Sequence, residues 1–155
     1  MRFVAVLAPA FLLLAVASIL PAAAGEPPPE QLFRQFGLFG TWAHDCQAAA
    51  TPANPHVEIH SPAPGVILED DHLGAAYALN RYSVLAARRL SSTRLEVVML
   101  FHPGMEKEER EKLIFAVRDK TRRTLFTEVI GGPVRVKDGI ALWNHSKTPL
   151  LHKCE

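Results

Sequence analysis

Along HVEIH (His56–His60) apolar and polar residues alternate, with Val57 and Ile59 on one side and His56, Glu58 and His60 on the other. That period of two is the signature of a half-buried β-strand. SPAPG then turns the chain, and VILEDD (Val66–Asp71) returns, which predicts a hairpin with an acidic tip. Ala75–Leu90 is rich in alanine and leucine, which suit a helix, but shows no stripe at helical spacing, so a strand is expected at Arg81–Arg89. A Ser-Ser-Thr turn leads into a second strand, Leu95–His102. LIFAVRD and TLFTEVIGG flank Lys120-Thr121-Arg122 as a further hairpin, rich in β-branched and aromatic residues. Asp138-Gly139 inside VRVKDGIAL is a strong two-residue hairpin signal. Before all of these, EQLFRQFG places Leu32, Phe33 and Phe36 at helical spacing and stops at Gly37. The pattern predicts an all-β fold: a small antiparallel barrel or sandwich of eight to ten strands, with one short N-terminal helix placed to cap an end.

The first 24 residues break this rhythm. Arg2 precedes an apolar run from Phe3 to Leu20, and Pro21 with Ala22–Ala24 supplies a site for signal peptidase. Cleavage after Ala24 is expected, with an uncleaved membrane anchor as the alternative. The expected organisation is a signal peptide (1–24), a proline-rich leader (25–30) and a single β domain (31–155), with no stable membrane insertion once the signal is gone. Loss of Arg2 changes the balance from 17 basic and 16 acidic residues to 16 of each. A neutral chain gives no electrostatic case for nucleic acid or an anionic membrane. Arg88-Arg89 and Arg122-Arg123 each fall where a strand meets a turn, and are read as solvated charges.

Cys46 and Cys154 are the only cysteines, one near each end of the expected domain. In an exported chain they are most simply a disulfide. The competing reading makes Cys46 a nucleophile with His44 or His152 as its base, but Cys154 is available to pair with it. A bridge between the first and last strands makes them neighbours, as in a closed sheet.

Two resemblances follow from the residues around the first cysteine. Gly40-x-Trp42, after a short helix and at the start of the first strand, resembles the opening of lipocalin and related calycin barrels. That likeness implies a Trp42 that packs with Gly40 across the closed end of the barrel. The later lipocalin signals, a Thr-Asp-Tyr loop and a closing-strand arginine against the tryptophan, have no counterpart in the sequence. The longer pattern G-T-W-A-x-D-C, a Pro/Asn loop, V-K-D-G, T-P and a final K-C resembles a group of small exported bacterial proteins of unknown function. It implies a periplasmic or secreted β domain and brings no catalytic residues with it.

The candidate chemistry is sparse. His56, Glu58 and His60 share one strand face and are the candidate metal ligands, but successive members stand ~6.6–7 Å apart, too far for one ion of bond length ~2 Å without help from His72, Asp70 or Asp71. The solvent face of a half-buried strand is the preferred reading, because alternation already explains the pattern. Glu69, Asp70 and Asp71 form a possible acid–base pair, against the commoner explanation of an acidic turn. No nucleophile elbow, zinc helix, P-loop or dinucleotide fingerprint is present. The expectation is therefore a non-catalytic binding or envelope-interaction module without cofactor. Its partner would be either a small apolar ligand, in the calycin manner, or a protein, for example a secreted enzyme that it inhibits. Phe33, Phe36, Phe39, Phe101, Phe115, Phe126, Trp42 and Trp143 would fill the inside, and Pro62–Gly65 or Met105–Lys112 would be the protruding loop of an inhibitor.

Overall fold

A computed structural model describes residues 25–155; the expected signal segment, residues 1–24, lies outside the described residues. Helix α1 (Pro29–Gln35) precedes ten strands: β1 (Gly40–Ala43), β2 (His56–Ala63), β3 (Val66–His72), β4 (Asn80–Ser91), β5 (Arg94–Phe101), β6 (Glu109–Arg118), β7 (Thr121–Val129), β8 (Val134–Lys137), β9 (Ile140–Ala141) and β10 (Leu151–Lys153). Strands β1 to β7 pair antiparallel in sequence order, and β10 closes the ring between β7 and β1. The fold is thus an eight-stranded antiparallel barrel with an extra hairpin, β8–β9, attached to it. Strand β7 pairs through its first residues with β10 (Arg122 opposite Leu151) and through its last with β8 (Glu128 opposite Val134). The extra hairpin therefore continues the wall at one end of the barrel only.

The helix begins one residue earlier than the sequence reading placed it, because Pro29 occupies its first turn. Proline fits there, since its missing N–H has no helical partner in any case. Leu32 and Phe33 of this helix are fully buried, and with Phe36 and Leu38 they plug the barrel against Trp42, Ile59, Ile67 and Phe115. Each such side chain contributes roughly 1.5–3 kcal/mol on burial. Trp42 donates its indole N–H to the Leu38 carbonyl at 2.7 Å. No arginine signals the closing strand in the sequence, yet Lys153 of β10 takes such a position. Its ammonium lies 5.6 Å from the centre of the Trp42 ring and donates to the Gly37 carbonyl at 2.8 Å. Gly40, at φ 113, enters β1 beneath this lysine, where a Cβ would touch the lysine stem.

The Arg81–Arg89 segment is a strand, and its missing periodicity has a cause. Register shifts between Val84 and Ala86 and between Arg89 and Ser91 change the face twice within β4. Asp138 and Gly139 turn β8 into β9 with φ of 53° and 74°, the left-handed pair that a two-residue hairpin requires. One expected filler and both expected loops are placed differently. Trp143 is 82% exposed rather than internal. Pro62 and Ala63 end β2, which leaves only Pro64-Gly65 as the turn, and Glu109–Lys112 are part of β6.

Cys46 and Cys154 are disulfide-bonded, their Cα atoms 5.5 Å apart across 108 residues of sequence. The nucleophile reading falls with that bond. A disulfide points to an oxidising, extracytoplasmic compartment. No helix among the described residues is long and apolar enough to cross a membrane.

Candidate functional site

The end of the barrel opposite α1 carries charge where the other half is apolar. On β3 the inward positions run Ile67, Glu69, Asp71; on β6, from the same end, they run Val117, Phe115, Leu113, Glu111. Both strands thus pass from hydrocarbon to carboxylate as they leave the plugged end. Strand β4 adds Tyr82, β7 adds Arg122 and Thr127, and β8 reaches in with Arg135. Together they line a cavity of about 340 Å³, with Pro55, Trp143 and Pro149 at its edge. That volume is near the lower end of the range for small-molecule pockets, ~300–1,000 Å³.

The acidic tip expected for the β2–β3 hairpin is therefore a buried cluster. The turn lies at Pro64-Gly65, and the acids sit at the far end of β3. Glu69 is 4% exposed and receives both terminal guanidinium nitrogens of Arg122, each at 2.8 Å. Arg122 is equally buried, and its guanidinium stacks 4.2 Å from the Phe115 ring centre. The solvated arginine expected from the sequence is internal because its partner waits across the barrel, 53 residues earlier in the chain. The end-on fork leaves the Arg122 Nε–H buried and without an acceptor among the described residues. Arg135 bonds both Glu111, itself 3% exposed, and Glu109. Each guanidinium in the cavity is committed to a carboxylate.

Asp71 is the exception among the acids. It makes no ion pair among the described residues, and its Oδ1 is buried without a hydrogen-bond donor. Burial pushes its carboxyl up to about 7; the Glu69 carboxylate adds to the push and Arg122 opposes it. Burial likewise raises Glu111 above the ordinary carboxylate range against the pull of Arg135, and raises the Tyr82 hydroxyl, which faces Asp71, Glu111 and Glu69. Asp70 points the other way, to the outer face. A two-pronged bond from Arg81, 2.7 Å on each prong, holds it below its usual value.

The histidine constellation stays apart. His56 approaches the Ala48 carbonyl through Nε2 at 3.0 Å, Glu58 lies 3.7 Å from His72, and the His60 Nδ1 is buried without a partner among the described residues. Among the described residues no three His, Cys, Asp or Glu side chains converge as a metal site. The site residues that the sequence reading missed are Tyr82, Glu111, Arg122 and Arg135. Glu111 was hidden in the charged run before Leu113, and Arg122 in a pair whose two members read alike. Compared with family models, with curated proteins and with solved structures, the chain finds no match in any of the three.

Proposed function

We propose that this chain is a non-catalytic binding protein of the periplasm or the extracellular space, which holds a small molecule in the open end of its barrel. The observation that carries the reading is the asymmetry of the interior. One half is an apolar core plugged by α1, and the other is a cavity whose wall bears six ionisable groups that packing alone does not require. Burying charge is unfavourable unless it is paired, and one group, Asp71, is left unpaired. Sites that hold such groups at a pocket wall are where binding is found. The signal-like leader and the disulfide support the compartment. The Trp42–Lys153 pairing at the plugged end supports the calycin resemblance. The polar lining favours a polar ligand over the apolar one that the resemblance implies.

A second reading has its own observation. Trp143 stands 82% exposed at the rim, beside Leu142 at 42%, a surface that fits a protein partner. Native mass spectrometry of protein purified from its own compartment separates the two. A small-molecule adduct that disappears on unfolding is expected. Protein that emerges at its sequence mass, accompanied by a second polypeptide, would replace the small-molecule reading with the protein-partner one.

A further inference from the structure

Resting on the proposed binding cavity, we infer that its ligand is a small organic cation, an ammonium compound whose counter-ion is Asp71. The inference comes from which charges the cavity has already matched. Arg122 is committed to Glu69 and Arg135 to Glu109 and Glu111. Those pairs leave no guanidinium for an anionic guest without breaking a buried bond. Asp71 is left with a buried oxygen that accepts nothing among the described residues. An incoming N⁺–H donor supplies both the missing charge and the missing hydrogen bond.

The surroundings fit the same guest. Tyr82 and the rim residue Trp143 line the cavity and give aromatic faces for a cation. The free Arg122 Nε–H offers a donor to a neutral oxygen on the same ligand, such as a hydroxyl. A carboxylate on the ligand would instead face Glu69 and Glu111. A bare metal ion lacks the convergent ligands it needs among the described residues.

Proton linkage supplies a further signature. Asp71 faces Glu69 on its own strand, with Asp70 adjacent on the opposite face, Tyr82 from β4, Glu111 from β6, Arg122 from β7 and Arg135 from β8; β2 presents Val57 opposite it. In this setting Asp71 keeps its proton up to about pH 7. A bound cation displaces that proton, so affinity is highest above pH 7 and weakens as the pH falls through it, by up to about tenfold per unit.

Three compounds of one skeleton test the inference: tyramine, tyrosol and 4-hydroxyphenylacetate, which carry a positive, a neutral and a negative end. In calorimetric titrations of the oxidised protein at pH 8, tyramine is expected to bind at least tenfold more tightly than tyrosol, and the anion most weakly. The tyramine preference should shrink at pH 5.5, and Asp71→Asn should remove it while leaving tyrosol binding in place. Equal or tighter binding of tyrosol or the anion, or a tyramine preference that survives Asp71→Asn, overturns the cation inference and leaves the cavity as a binding site. Failure of all three compounds to bind overturns the inference as well, and the wider reading then stands or falls on the co-purified ligand.

Discussion

At the scale of single residues, β3 balances two opposed titrations on adjacent positions, one inside the barrel and one outside. Asp71 holds its proton up to about pH 7 in the folded chain, whereas an aspartate in an unfolded chain releases it near ~4. Between those values the unfolded state loses a proton that the folded state keeps, so this group makes stability fall as pH rises through the window. Asp70, held low by Arg81, acts in the opposite sense: its contribution is present above the unfolded value and is lost as pH falls through the folded one. Asp71→Asn should therefore stabilise the ligand-free protein by on the order of a few kcal/mol at pH 8, with the gain gone below about pH 4. Urea unfolding followed at both pH values would show this, and a variant no more stable than wild type at pH 8 would mean that Asp71 is ionised there without penalty. Glu69 and Arg122 behave differently, because each satisfies the other. Removing one of the two leaves a buried charge alone, which is the costly way to change such a pair.

At the scale of elements, legibility followed the strength of alternation. Strand β2 reads cleanly because apolar and polar positions fall on separate faces, and the structure buries Val57 and Ile59 as that pattern requires. Strand β3 does not, since Ile67, Glu69 and Asp71 share one face while Leu68, Asp70 and His72 share the other. Each face mixes an apolar residue with acids, so period two cannot say which set is inside, and the acids pass for a turn. What decides the face is Arg122 on β7, a partner that no local window contains. Helix α1 was legible for the opposite reason: Leu32, Phe33 and Phe36 lie within two turns of each other and share one face. Its role as a plug gives a direct expectation. Phe33→Ala, at a fully buried position against the barrel floor, should cost about 3–5 kcal/mol. A loss below about 1 kcal/mol in thermal or urea unfolding would show that the helix merely rests on the barrel.

For the molecule as a whole, the weakest point of the ring is its seam. Strand β10 has three residues, pairs with β1 at two positions and with β7 at two, and carries the closure of a barrel whose other strands reach twelve residues. A short closing strand frays easily, because few hydrogen bonds oppose the entropy of releasing it. The disulfide sits directly at this seam. It ties Cys154, one residue past β10, to Cys46, three residues past β1, and the Cys154 N–H adds a bond to the Thr41 carbonyl at 2.8 Å. Two cysteines in the sequence were enough to foresee that tie, since their positions near the ends of the domain left one economical partner for each. The sequence could not show that the tie guards the one joint where the barrel closes upon itself. Constraining a loop of 108 residues is worth roughly 4–5 kcal/mol on the chain-entropy account, a large share of the ~5–15 kcal/mol that stabilises a domain. Reduction, or Cys46→Ala with Cys154→Ala, should therefore lower the unfolding free energy by several kcal/mol. Before global unfolding it should speed amide exchange at Leu151–Lys153 and at their β1 partners. If exchange in β10 stays as slow in the reduced protein as in the oxidised one, strand pairing alone holds the seam, and the disulfide acts only on the unfolded chain.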